Sequence, residues 1–371
     1  MITKQHSHTT IQDLRKLIQN PKQTAKNWDV ILPSKNFLDI CAGIGIIDSK
    51  SPYEDFIICL AYGGKNPIAF FGNLESETPD RQAFFKTTET DGINWVLYQR
   101  INGRLYKIKT ILRCKPGKNA IFTGSIFDYG DDVFALVTIA FSNKKLNRGS
   151  GETIPLQKQY LYKLSPDGNF EICRTKKGLK LESKPYCKKP LDWRDPNPVL
   201  NLKSKSNDSL YFVSCGSDKD NKPCISNGKI TFREGRPPII RRLKATTNLP
   251  NIVYNGETVE TIYLECPQKI ILKETEIIIC SVGAIYSNTV VHFMAGYIKK
   301  IGTKKWNLVN QTGVIETNYP SGYNLYAAKV KILDNQLLAI GWNAGPSGLP
   351  HSQSPYMKLE IDEYLHTAKL V

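Results

Sequence analysis

Short runs of apolar, β-branched and aromatic residues recur along almost the whole chain, and this pattern restricts the fold more than any other feature. Typical runs are Phe56–Tyr62, Val133–Phe141 and Glu276–Cys280. Gly, Asp, Asn and Pro separate the runs, as hairpins and loops require. Residues 10–20 differ, because their apolar residues have helical spacing after a threonine that can cap a helix. The sequence therefore predicts an all-β fold with one short N-terminal helix.

The strand candidates are grouped rather than evenly spread. They form five clusters, at about 30–72, 92–142, 158–215, 258–300 and 305–365. Such clusters match the four-stranded blades of a propeller, and a chain of 371 residues is long enough for five of them. We predict a five-bladed β-propeller that forms a single domain over residues 25–371. Residues 1–24 are predicted to be a helical or flexible extension.

The sequence contains no apolar run of the ~18 residues that a membrane helix needs. Its amino terminus also lacks the apolar core of a secretory signal. We therefore expect no membrane span, and a location in the cytoplasm or export by a route without a cleaved signal. The nine cysteines lack metal-ligand spacing, and their odd number fits a reducing compartment. No metal site or cofactor is predicted, and we expect a monomer.

The chain is strongly basic, with 50 Lys and Arg against 34 Asp and Glu and a net charge of +16. A basic chain can bind a polyanion such as nucleic acid. However, the basic residues are spread along the chain, without zinc-finger spacing, a recognition helix or aromatic-basic interleaving. We therefore interpret the charge as a solvated surface and expect no specific nucleic-acid partner, although a nucleic-acid role stays open as an alternative.

Three acidic residues stand in distinctive contexts: Asp29 after a tryptophan, Asp195 between an arginine and a proline, and Glu265 before Cys-Pro. Pro196 biases Asp195 towards an extended backbone. Two carboxyl groups can cleave a glycosidic bond, one as nucleophile and the other as acid and then base. A third can stabilise the positive charge that develops in the transition state. The alternative is that these are ordinary acids among the 34 in the chain.

Four short motifs resemble those of levansucrases, glycoside hydrolase family 68. Trp28-Asp29, followed by Leu-Pro, is similar to their Trp-Asp-x-Trp-Pro-Leu. Phe122-Thr123-Gly124-Ser125-Ile126 resembles their Trp-Ser-Gly-Ser-Ala, and Trp193-Arg194-Asp195-Pro196 resembles their Phe-Arg-Asp-Pro. Leu264-Glu265-Cys266-Pro267-Gln268 is similar to their Glu-Arg-Pro-Gln and to the Glu-Cys-Pro of the related invertases, family 32. Order and spacing agree with the family over roughly residues 25–365.

The resemblance implies a five-bladed propeller that acts on sucrose or a related β-fructofuranoside through a covalent fructosyl-enzyme. It implies the roles of nucleophile for Asp29, transition-state stabiliser for Asp195 and acid/base for Glu265. It also implies that four further residues bind the substrate, namely Trp28, Phe122, Ser125 and Arg194. The substrate would be the small-molecule partner, and no cofactor is implied.

The chain departs from the family pattern on the side of the leaving group. Tyr263 stands where the family has an acid two residues before its acid/base, and Gly283 falls near the position of an arginine that binds the glucosyl unit. Ile31 and Phe122 replace family tryptophans. Two hypotheses follow: a fructosyl-transferring glycoside hydrolase, or a catalytically inactive propeller that binds carbohydrate or a protein partner.

Overall fold

The computed structural model describes the chain in segments, and all of the described secondary structure is β. The described residues are 30–31, 43–51, 54–62, 93–101, 104–113, 119–129, 132–147, 153–165, 170–173, 193–201, 209–217, 222–233, 236–243, 249–317, 324–333, 336–344, 350–353 and 357–371. The all-β prediction is confirmed for these residues. The predicted helix over residues 10–20 lies outside them, as does the predicted extension 1–24.

The described strands pair into five sheets, which we call sheets I to V. Sheet I has the order β1-β5-β4-β3-β2 and sheet II the order β6-β7-β8-β9. The strands of sheet I are β1 (Val30–Ile31), β2 (Gly43–Ser51), β3 (Glu54–Tyr62), β4 (Ile93–Ile101) and β5 (Arg104–Leu112). Those of sheet II are β6 (Asn119–Tyr129), β7 (Asp132–Asn147), β8 (Thr153–Leu164) and β9 (Phe170–Ile172). In both sheets, all neighbouring strands are antiparallel.

Sheets III and IV follow, and residues 194–201 contribute one short strand to each of them. Sheet III has the order β10-β12-β13-β14, formed by β10 (Arg194–Pro198), β12 (Ser209–Ser217), β13 (Pro223–Arg233) and β14 (Arg236–Arg242). Sheet IV contains β11 (Leu200–Asn201), β15 (Ile252–Tyr254), β16 (Glu257–Ile271), β17 (Thr275–Tyr286), β18 (Thr289–Lys300) and β19 (Asn307–Leu308). The short β11 follows β10 and pairs in parallel with the end of β16, so it connects the two sheets.

Sheet V holds the carboxyl-terminal strands of the described chain. They are β20 (Glu316–Thr317), β21 (Asn324–Leu333), β22 (Gln336–Ala344), β23 (Pro350–Gln353), β24 (Met357–Asp362) and β25 (Thr367–Leu370). Their path is β20-β25-β24-β22-β21, with β23 beside β22.

One strand from each sheet contributes to a ring of contacts. β10 lies against β6 and β16, β16 lies against β21, and β2 lies against both β21 and β6. Because β2, β6, β10, β16 and β21 each belong to a different sheet, the five sheets are arranged around these inner strands. Residues on the inner strands can therefore meet although they are far apart in sequence.

Four inner strands carry a β-bulge with the same register shift. The bulges lie between Ile121 and Gly124, Arg194 and Asn197, Glu265 and Gln268, and Tyr326 and Lys329. In three of them the second residue has a left-handed backbone, with φ of 54° at Asp195, 48° at Cys266 and 50° at Ala327. A bulge bends its strand and redirects side chains, so these positions differ from ordinary strand positions.

Apolar faces of successive sheets pack on each other and form the core. Phe134 of sheet II meets Phe212 and Ile230 of sheet III, and sheet IV packs against sheet V through a larger cluster that includes Ile279 and Val330. Burying one such side chain contributes about 1.5–3 kcal/mol. Five cysteines have free thiols, namely Cys173, Cys215, Cys224, Cys266 and Cys280. Within the part of the chain that the structure describes, no helix is long and apolar enough to cross a membrane.

Candidate functional site

The bulges of β10 and β16 bring the residues of two predicted motifs together. Arg194 and Asp195 occupy the first two positions of the β10 bulge, and Glu265 and Cys266 occupy the same positions in β16. Since β10 and β16 are adjacent inner strands, the two bulges face each other. The sequence prediction that Asp195 and Glu265 share one site is consistent with this placement.

Asp195 is buried and held by donors from three sheets. Thr123 Oγ1 donates to Oδ1, and the Cys266 backbone N–H donates to Oδ2 at 3.1 Å. The Cys215 thiol lies 3.3 Å from Oδ2. The Asp195 backbone N–H donates to Thr138 Oγ1 at 3.0 Å. The side chain is only 6% exposed, so these contacts fix the carboxylate in one orientation.

Arg194 links the two acids. Its Nε lies 3.6 Å from Asp195 Oδ2, and its Nη2 lies 3.2 Å from Glu265 Oε1. Nη2 also donates to the Leu264 carbonyl at 3.3 Å. The Glu265 side chain is 32% exposed, against 11% for Arg194. One carboxyl group is therefore buried and immobilised, while the other reaches solvent beside the same guanidinium.

The backbone prediction for Asp195 was wrong. The following proline was expected to keep this residue extended, but its φ is 54°, in the left-handed region. The reason is the bulge, which inserts an extra residue between Arg194 and Asn197 and turns the chain locally. A non-glycine residue keeps a left-handed backbone only where surrounding contacts hold it there, and such residues cluster at functional sites.

The remaining predicted site residues have different outcomes. Trp28 and Asp29 lie outside the described residues. Val30, directly after Asp29, begins β1, which pairs with β5 at the edge of sheet I opposite β2. The Phe122 carbonyl accepts a hydrogen bond from Trp95 Nε1 at 2.8 Å. Ser125 is 5% exposed and its hydroxyl donates to Asn197 Oδ1, so it supports the strand that carries Asp195.

Two departures from the family pattern are neighbours in the structure. Tyr263 pairs directly with Gly283, which in turn pairs with His292. A Cβ on residue 283 would lie 2.2 Å from the Tyr263 ring, so only glycine fits beneath it. The Tyr263 hydroxyl hydrogen-bonds His292 Nε2, and burial lowers the pKa of His292. Tyr263, two residues before Glu265 on β16, thus forms a neutral pair with His292 of β18.

Sequence reasoning missed the buried polar residues at the ends of three bulges. Asn197 and Lys329, at the ends of the β10 and β21 bulges, are 3% and 4% exposed, and Gln268 at the end of the β16 bulge is 3% exposed. A signal was present, because Arg-Asp-Pro-Asn and Glu-Cys-Pro-Gln share a charged residue, a proline and a terminal amide.

Buried thiols around the acids are poor nucleophiles. Burial raises the pKa of Cys266 and Cys215, and the neighbouring Asp195 charge raises both further. The thiols therefore stay protonated, and the nucleophile of any reaction here is not one of them. Among the described residues, no group of three His, Cys, Asp or Glu side chains could hold a metal ion.

Comparisons with known proteins place the fold among glycoside hydrolases. No protein-family model matches the chain, and no curated protein has a significantly similar sequence. A sucrose-6-phosphate hydrolase from Lactobacillus gasseri is similar with a TM-score of 0.55 and 12% identity, over 96% of this chain and 66% of that one. The Bombyx mori family 32 β-fructofuranosidase BmSUC1 gives 0.53 and 15%, over 94% and 66%.

An exo-1,5-α-L-arabinanase from a bovine ruminal metagenomic library is also similar, and the match includes almost all of its own length. Its TM-score is 0.51 at 12% identity, over 91% of this chain and 98% of that one. The chain therefore has the fold of the β-propeller glycoside hydrolases of families 32 and 43. A likeness to family 68 in particular is not among these findings, which show the fold alone.

Proposed function

We propose that the chain is a retaining glycoside hydrolase that acts on sucrose or a related β-fructofuranoside. The observation that carries the proposal is the contact of Arg194 with both Asp195 and Glu265, which belong to different sheets and lie seventy residues apart. The fold likeness to a β-fructofuranosidase and a sucrose-6-phosphate hydrolase supports it. We also propose that sheets I to V are the five blades of one propeller, supported by the contacts that join their inner strands.

In the proposed reaction Glu265 acts first as an acid. Its proton passes to the leaving oxygen as the bond between that oxygen and the anomeric carbon breaks. The carboxylate of Asp29 forms a bond to the same carbon and gives a covalent glycosyl-enzyme. Glu265 then removes a proton from water, which attacks the anomeric carbon and releases Asp29. The exposed side chain of Glu265 allows it to meet both the leaving group and water.

Asp195 has a different role in this scheme. Its carboxylate, held by Thr123 and the Cys266 N–H, stays in place while positive charge develops on the sugar ring. A fixed charge stabilises the transition state without reorganising during the reaction. Arg194 keeps the two acids at a constant separation, and the neutral Tyr263 and His292 pair provides a surface for the leaving group.

The identity of the nucleophile has to be tested separately. Asp29 is proposed on the motif resemblance, but the strand that follows it lies at the edge of sheet I opposite the inner strand β2. Asp39 lies between β1 and β2 in the sequence, nearer to β2 than Asp29 does. Asp29→Asn and Asp39→Asn should therefore be compared directly. The nucleophile is the residue whose variant loses turnover and, when azide is added, forms a glycosyl azide of inverted configuration.

The function is tested with the purified chain and a panel of furanosides. Sucrose, raffinose and a β-fructan represent the fructosides, and an aryl α-L-arabinofuranoside represents the substrate type of the arabinanase fold relatives. We expect release of fructose with retained configuration, seen by nuclear magnetic resonance, and its loss in Asp195→Asn. A folded wild-type chain that cleaves no fructoside would contradict the proposal, and cleavage of the arabinofuranoside alone would change the substrate class.

A further inference from the structure

The Asn197 side chain connects strands of four sheets. Its Oδ1 accepts from Lys329 Nζ at 2.6 Å and from the Ser125 hydroxyl. Its Nδ2 donates to the Asp195 carbonyl at 3.0 Å and to the Pro267 carbonyl at 2.8 Å. All of the hydrogen-bonding capacity of this amide is used inside the protein, where it is 3% exposed.

Both carbonyls that Asn197 holds belong to strained segments that carry the acids. Asp195 has φ of 54°, and Pro267 directly follows Cys266, whose φ is 48°. Non-glycine residues seldom adopt this region, and they keep it only where neighbouring contacts hold the backbone. The amide therefore fixes the Asp195 backbone on one side and the segment next to Glu265 on the other.

Lys329 determines which way the amide points. An ammonium group can only donate, so the oxygen of Asn197 must face it and the nitrogen must face the two carbonyls. A serine hydroxyl can donate or accept, and Ser125 alone would not impose this orientation. Lys329 is 4% exposed, and burial lowers its pKa, whereas the neighbouring Asp195 charge opposes that change.

We propose that Asn197 and Lys329 are positioning residues of the candidate active site. Lys329 orients the Asn197 amide, and the amide holds the backbones of Asp195 and Pro267 so that the two carboxyl groups keep their separation. This inference rests on the proposed hydrolase function for its kinetic test, but it also predicts a structural effect that can be measured without a substrate.

The kinetic test uses Asn197→Asp. Its carboxylate keeps the partner of Lys329 but repels the two carbonyls that the amide holds. We expect kcat on the best fructoside to fall about 100-fold, since a small misplacement of reacting groups has an effect of this size. KM should stay within about threefold, because substrate binding is not directly altered.

Asn310→Asp is the matched control. The Asn310 amide also donates to two backbone carbonyls, those of Val314 and Ala368, at 2.8 Å each, and it accepts from the Ala368 N–H at 3.0 Å. The change also sets a carboxylate against two carbonyls, but this amide holds the segment after β19 and strand β25 rather than the backbone of an acid. A loss of thermal stability with kcat within about threefold of wild type is expected.

Lys329→Met keeps the proposal testable if Asn197→Asp does not fold. It retains the amide and removes the group that orients it, so kcat should fall at least about tenfold with unchanged KM. Unchanged kcat in a folded Asn197→Asp or Lys329→Met protein would overturn the proposal. So would failure of both variants to fold while Asn310→Asp folds normally, because the role would then be structural.

Amide hydrogen exchange separates this inference from the proposed function. In Asn197→Asp, exchange should speed up in both the 194–197 and the 265–268 segments, and in Asn310→Asp it should not. If exchange is faster in Asn197→Asp while the wild type cleaves no fructoside, the positioning role stands and the hydrolase function is rejected. If exchange in Asn197→Asp is normal while the wild type is active, the hydrolase function stands and the positioning role is rejected.

Discussion

In the bulges of β10 and β16 the register shift is the same, and the second residue of each has a left-handed backbone. The acid, however, stands at a different position in each bulge. Asp195 is the second residue of its bulge and Glu265 is the first of its own. The second position points into the protein, where Asp195 has donors from three sheets and a side chain 6% exposed. The first position leaves Glu265 32% exposed with Arg194 beside it.

The two bulge positions suit the two roles that the proposed reaction assigns. A residue that must stay immobile needs fixed donors, and the second bulge position provides them. A residue that exchanges protons with a substrate and with water needs access, and the first position provides that. The β21 bulge has the same backbone with Tyr326 and Ala327 at these positions, and it carries no acid.

The largest effect is expected for Asp195→Asn. Removing one preorganised charge from a transition state lowers kcat by about 10²–10³-fold. The amide cannot accept from every donor that now surrounds the carboxylate, so stability should also fall. Steady-state kinetics with thermal unfolding measures both, and turnover near the wild-type level would remove Asp195 from the site.

Glu265→Gln should lower kcat on sucrose by about 10²–10⁴-fold, which is the range for a general acid or base. Its unfolding temperature should change little, since this side chain is partly exposed. A stability loss as large as that of Asp195→Asn would contradict the distinction between the two bulge positions.

The thiol in the second position of the β16 bulge should be unreactive. Burial raises the pKa of Cys266, so the thiol stays protonated as pH rises from about 7 to about 9, where an ordinary exposed cysteine becomes a thiolate. Iodoacetamide labelling followed by mass spectrometry should find Cys266 modified only after unfolding. Rapid labelling of the native protein at the higher pH would show that this position is open to solvent.

The smallest effect is expected for Ala327→Gly in the bulge without an acid. Glycine accepts φ of 50° without steric cost, so the free energy of unfolding should rise by up to about 1 kcal/mol. Denaturant unfolding measures the change, and activity should be unaltered. A decrease of more than about 1 kcal/mol would show that the Ala327 methyl group, which packs near Tyr263, matters more than backbone strain.

Sequence reasoning predicted the all-β fold because strand runs and turn residues are local signals. It also singled out Asp195 and Glu265, because each stands in a short motif. It did not predict the left-handed φ of Asp195, since a proline after it favours an extended backbone and a bulge depends on pairing with β12. Lys329 gave no signal, because its burial depends on Asn197, more than a hundred residues away.

The departures from the family pattern also became interpretable only in three dimensions. Tyr263 and Gly283 are twenty residues apart, and nothing local relates them. Cross-strand pairing places the ring over the glycine, so a larger residue at 283 is incompatible with tyrosine at 263. The ring of Tyr263, on the strand of Glu265, therefore requires a glycine at position 283 on the neighbouring strand.

The central claim is that Asp195 and Glu265 have separate roles in one reaction, and the leaving-group dependence of each variant tests it most directly. Rates are measured on aryl glycosides of the preferred sugar whose phenols span a range of pKa values. Glu265→Gln should be nearly as fast as wild type with the most acidic phenol and progressively slower with less acidic ones, because a good leaving group needs no proton. Asp195→Asn should be slowed by a similar factor throughout. If the rates of both variants depended in the same way on the pKa of the phenol, the two residues would not have separate roles.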